Sequence, residues 1–100
     1  MAHRKRETSQ QLLKRAGRLP TRVHLGRGYV VQVVFQTPSE MKRDAFPDHD
    51  DYTIQGYWSG IDDMKIYIDS TASRKRQWQI YFHELIHAAH DIAEMNRGGI

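Results

Sequence analysis

Apolar positions are most regular near the C-terminal end of the chain. Trp78, Phe82, Leu85, Ala89 and Ile92 recur at three- and four-residue spacing with Ile86 alongside, and no proline or glycine interrupts residues 73–95. This pattern predicts one long amphipathic helix. Ser70, Thr71 and Ser73 offer N-caps, and Gly98 and Gly99 stop it. A different period governs the middle. Tyr29-Val30-Val31-Gln32-Val33-Val34-Phe35 is β-branched and aromatic almost throughout, which predicts a central strand covered on both faces. Alternation over residues 52–59 and 64–69 predicts two further strands, joined as a hairpin through Gly60-Ile61-Asp62-Asp63. Residues 36–51 hold two prolines and many turn formers and are expected to form a long loop with room for one helical turn. Gly26 and Gly28 bracket a turn. Thr8 or Ser9 can cap a short helix to about Ala16, ended by Gly17 and Pro20. Its apolar content, Leu12, Leu13 and Ala16, requires a tertiary partner. Together these elements predict a single α+β domain with an N-terminal helix, a small three-stranded sheet and a long C-terminal helix.

Composition narrows the chemistry. A chain of 100 residues with 39% hydrophobic and 27% charged side chains is one globular domain. It contains no cysteine, which excludes disulfide frameworks, thiolate zinc sites and cysteine nucleophiles and fits a cytoplasmic setting. No apolar run is long enough to cross a membrane, and no apolar core follows the N-terminal charges as a secretory signal requires. Charge divides the chain in two. Residues 1–27 carry eight basic groups and one acid, whereas residues 28–100 carry seven basic and eleven acidic groups. A basic arm with its short helix (1–27) therefore precedes a mildly acidic domain (28–100), and suits an anionic or protein partner. Arg74-Lys75-Arg76 places further positive charge at a helix start, where it opposes the dipole and calls for nearby acids or an anionic partner. No base-reading motif accompanies these charges, so no residue is assigned to nucleic acid. Trp58 and Trp78 sit within apolar patterns and are expected in the core. Asp62-Asp63 reads as hairpin chemistry.

The predicted C-terminal helix contains His83-Glu84-Leu85-Ile86-His87. Histidines four apart stand one above the other, so their imidazoles can converge on one zinc ion. Glu84 is rotated by about a quarter turn, beside the metal rather than on it. A zinc-bound water loses its proton near neutral pH, and a carboxylate beside it can take that proton as general base and later return it. Those parts suffice for hydrolysis of a peptide bond. A third ligand is open. His90 faces the same way as His87 but lies about 7–8 Å beyond the midpoint of the pair. Asp91 can hold an imidazole proton or reach the ion itself. Asp48-His49-Asp50-Asp51 offers mixed ligands from a loop and otherwise reads as a solvated turn.

Residues 65–69 (Lys65-Ile66-Tyr67-Ile68-Asp69) and 76–89, which include the motif, resemble the zincin metallopeptidases. They are closest to small phage and bacterial metallopeptidases akin to the ImmA/IrrE and SprT-like groups. The resemblance implies a helix, a short twisted sheet and an active-site helix, with zinc on His83 and His87 and Glu84 as general base. It also implies that the strand before that helix, here Lys65, Ile66 and Tyr67, lies along the cleft and pairs with an extended substrate. Two departures stand out. Gluzincins take a third ligand, a glutamate, from a later helix, and only residues 88–100 follow the motif here. Metzincins need glycine where His90 stands and histidine where Ala93 stands. Two functions are therefore expected: a small zinc metallopeptidase, or an inactive zinc-stapled binding or assembly module such as a phage virion component.

Overall fold

A computed structural model describes residues 17–45 and 54–98. It is α+β, with a four-stranded mixed sheet and two helices among these residues. In chain order they are β1 (Arg22–His24), β2 (Val30–Gln36), α1 (Pro38–Ala45), β3 (Gly56–Trp58), β4 (Lys65–Asp69) and α2 (Arg74–Gly98). The sheet order is β1-β2-β4-β3. β1 and β2 are antiparallel, with Val23 opposite Val31. β2 and β4 are parallel, with Val33 opposite Ile66, and β4 pairs antiparallel with β3, Tyr67 opposite Tyr57. No helix of the described residues is long and apolar enough to cross a membrane.

The hairpin and the long helix form where the residue pattern puts them. The sheet has one more strand than expected. Arg22-Val23-His24 carries a single apolar residue, too short a pattern to read, and forms an edge because the Gly26–Gly28 turn folds it back on β2. With Leu19 buried in the core, the inner end of the basic segment belongs to the domain. Helix α1 replaces much of the expected loop. Its start is a reciprocal cap: Glu40 N–H donates to Thr37 Oγ1 at 3.2 Å, and Thr37 N–H donates to Glu40 Oε1 at 3.1 Å. Pro38 occupies the first helical position, where its missing N–H is harmless. The predicted N-terminal helix and the Asp48–Asp51 loop lie outside the described residues.

Helix α2 covers one face of the sheet, and α1 lies against β2 with Met41 fully buried. Val31, Val33, Ile66 and Ile68 point to α2 and meet Ile80, Tyr81, Ala88 and Ile92. The opposite face is not sealed, contrary to the expectation for β2: Gln32 is exposed and Val30 and Val34 are half-buried. Tyr57 and Tyr67 stack on that face at 4.6 Å. The buried stripe of α2 is also rotated from the one expected. Phe82 and Ile86 remain 53% and 69% exposed, because four narrow strands cover only one side of the helix. Phe82 packs sideways on the Trp78 and Tyr81 rings instead.

Side-chain hydrogen bonds set the helix over the sheet. At the β4–α2 turn, buried Asp69 accepts from Thr71 N–H at 2.8 Å and Thr71 Oγ1–H at 2.6 Å, while Gln77 Nε2 donates to the Asp69 carbonyl at 3.1 Å. Ser73 Oγ caps α2 by accepting from Arg76 N–H. Further along, Trp58 Nε1–H donates to Asp91 Oδ2 at 2.7 Å, and Tyr29 O–H donates to Asn96 Oδ1 at 3.0 Å. Trp78 Nε1–H donates to the Gly17 carbonyl, so both tryptophans pack against the core with their polar ends bonded.

Candidate metal centre

The histidines of the motif sit mid-helix on α2, past the region where terminal fraying matters. Both are exposed. Their rings meet edge to face, with centroids 4.8 Å apart and planes at 76°. The two Nε2 atoms are 3.3 Å apart. That distance suits one ring donating Nε2–H to the other. It is also the edge of a tetrahedron whose zinc–nitrogen bonds are about 2.0–2.1 Å, which places ligand atoms about 3.3–3.4 Å from each other. The spacing of the donor pair therefore matches two adjacent positions of a tetrahedral zinc.

Glu84 is half-buried and turned toward the sheet by the helical step of about 100°. With His83 it lines one end of a cleft of ≈ 340 Å³ between α2 and β3. Gln55, Arg76 and Gln79 line the other end. Gly56 and Ile80 lie between them and explain why the cleft is narrow. A Cβ on Gly56 would collide with Ile80 Cγ2 and stand 2.9 Å from the Tyr67 carbonyl oxygen. Gly56 is thus required for close approach of helix to strand and not for backbone freedom, since its φ lies outside the left-handed region. Comparison with family models, curated proteins and solved structures finds no match.

The strand assigned to substrate lies elsewhere. Lys65, Ile66 and Tyr67 belong to β4, which is bonded to β2 on one side and β3 on the other. A strand with both edges paired has no backbone group to offer a peptide. Ile66 is fully buried, and Tyr67 lies on the face away from α2. Among the described residues the unpaired edge beside the motif is β3. Gln55 C=O accepts from Asp69 N–H and Ser59 N–H donates to Lys65 C=O, so the alternating groups of Gly56 and Trp58 point outward. Glycine inside a strand pattern is itself a sign of close backbone approach, and could have marked this strand.

His90 and Asp91 are not drawn to the histidine pair. Asp91 is taken up by the Trp58 indole, and His90 Nδ1 stands 3.8 Å from Asp91 Oδ1 with its ring exposed. Among the described residues no three histidine, aspartate or glutamate side chains assemble into a metal-holding group.

Proposed function

We propose that this protein is a small zinc-dependent metallopeptidase of zincin type that acts on extended peptide segments. The observation that carries the reading is the 3.3 Å approach of His83 Nε2 and His87 Nε2 beside a cleft lined by Glu84. His83 and His87 would hold zinc through these atoms. Bound zinc supplies a Lewis acid that polarises a carbonyl and makes water acidic. Glu84 takes the proton of the attacking water and returns it to the leaving amine. The outward backbone groups of Gly56 and Trp58 hold the peptide as an added strand along β3.

A second reading keeps the metal without the catalysis, and since a closed structural zinc takes four protein ligands it would draw the missing donors from a second chain or a partner. Catalytic zinc normally has three protein ligands and one open position, and the histidines supply two. A zinc-stapled binding or assembly module needs the metal but no open position. Metal analysis after dialysis, together with mass-spectrometric mapping of cuts in a peptide library, separates the two. The peptidase reading expects about one zinc per chain, cuts by the wild type, and no cuts by Glu84→Gln with zinc retained. Zinc without cuts supports the module. A dialysed protein that holds no zinc, and whose melting ignores both zinc and chelator, would refute both.

A further inference from the structure

Among the described residues Arg76 is the one permanently charged cation lining the cleft. Its guanidinium is held there by two amides. Nε and Nη2 both donate to Gln55 Oε1, the first at 2.9 Å, and Nη1 donates to Gln79 Oε1 at 3.2 Å. Both acceptors are neutral amide oxygens, which bring no charge to set against the guanidinium. Among the described residues no carboxylate pairs with Arg76, and Glu84 is the only acid lining the cleft. Among the described residues three of the five N–H groups have partners, which leaves two for a ligand. An arginine fork fixed in this way is arranged in advance for a carboxylate, which it can grip through two parallel bonds.

The spacing says where on a peptide that carboxylate falls. Arg76 precedes His83 by seven residues on one helix, about 10 Å along its axis at about 1.5 Å per residue. β3 runs alongside, and an extended chain on its free edge advances about 3.3 Å per residue. We propose that the α2–β3 cleft selects extended peptides bearing a carboxylate about three residues from the scissile bond, and that Arg76 reads that carboxylate. The inference rests on the peptidase reading above for the position of the bond. The carboxylate is either a Glu or Asp side chain or the peptide's own C-terminus.

The test uses the full chain carrying Glu84→Gln, zinc-loaded and zinc-free, and fluorescence anisotropy. The probes are labelled neutral peptides in which a single Glu is walked along the sequence, an all-Gln control, and C-terminal acid and amide forms. One register of Glu, or the free C-terminus, should bind about fivefold tighter than its neutral counterpart, the scale of a partly solvent-exposed charge pair. Arg76→Gln should abolish that advantage, Arg76→Lys should keep part of it, and Arg76→Glu should shift preference to a Lys-walked series. Equal binding of every peptide, or no binding of any, overturns the proposal. So does an advantage that survives in Arg76→Gln, or displacement of the peptide by an equimolar single-stranded oligonucleotide. Cleavage by the wild type is scored separately on the same series. Cuts indifferent to the position of Glu overturn the selectivity and leave the peptidase reading standing. Arg76-dependent binding without cuts does the reverse, and leaves a carboxylate-selective peptide groove.

Discussion

Replacing Gly56 by alanine tests the contact that sets the width of the cleft. In open space this change would stabilise a strand by about 0.4–1 kcal/mol, through the unfolded chain alone. Here the added methyl meets Ile80 Cγ2 and the Tyr67 carbonyl oxygen, so the helix must lift or the strand must bend. Overpacking of this kind costs about 1–3 kcal/mol, which outweighs the gain. A net loss of about 1–2 kcal/mol lowers the melting temperature of a domain this size by roughly 5–15 °C. Urea titration of Gly56→Ala, Ile80→Ala and the double variant isolates the contact. Ile80→Ala alone should cost about 2–5 kcal/mol, since the side chain is buried. In that background Gly56→Ala should cost less than about 1 kcal/mol, because only the Tyr67 carbonyl still crowds the methyl. The coupling between the two changes should therefore reach about 1 kcal/mol. A Gly56→Ala variant as stable as the wild type, or one whose cost is the same in both backgrounds, refutes the close-approach argument. The same lift would carry His83 and Glu84 away from the β3 edge, so peptide binding should weaken in step with stability.

Two further outcomes follow from the same contacts. Asp91→Ala should lower stability by about 1.5 kcal/mol, the low end for a charged hydrogen bond at a half-exposed acceptor, and leave zinc content unchanged; lost zinc with unaltered stability would return Asp91 to the metal. Alkaline stability should depend on Tyr57, whose hydroxyl is pushed up to about 12 by burial, with the neighbouring Tyr67, Asp44 and Asp63 adding to the effect. A raised folded value means that the neutral phenol is the form the fold holds, so its contribution is complete below about pH 10 and is lost as pH rises through about 12. Urea midpoints across that window should fall less steeply for Tyr57→Phe, with a residual slope from Tyr67 and Tyr81, which burial also raises; an unchanged slope would show that another group titrates.

The candidate site on α2 was legible from the chain alone because its geometry is local. Four-residue spacing on a helix brings His83 and His87 together whatever the helix packs against, and turns Glu84 aside by the same rule. The β3–β4 hairpin and the span of α2 are likewise local, set by period, by Gly60 and by the cap at Ser73. The capping box at Thr37–Glu40 was written there too, although its proline and polar residues read equally well as loop. Tertiary structure decided which strand stands at the edge. Parallel pairing of β2 with β4 depends on hydrogen bonds between residues about thirty positions apart, and no local pattern encodes them. That pairing moved Lys65, Ile66 and Tyr67 into the middle of the sheet and gave the free edge to Gly56 and Trp58. The hydrogen-bond partners of Asp91 and Arg76 were decided in the same way. Each depends on a partner from β3 or its approach, Trp58 in one case and Gln55 in the other, which only the folded chain brings within reach.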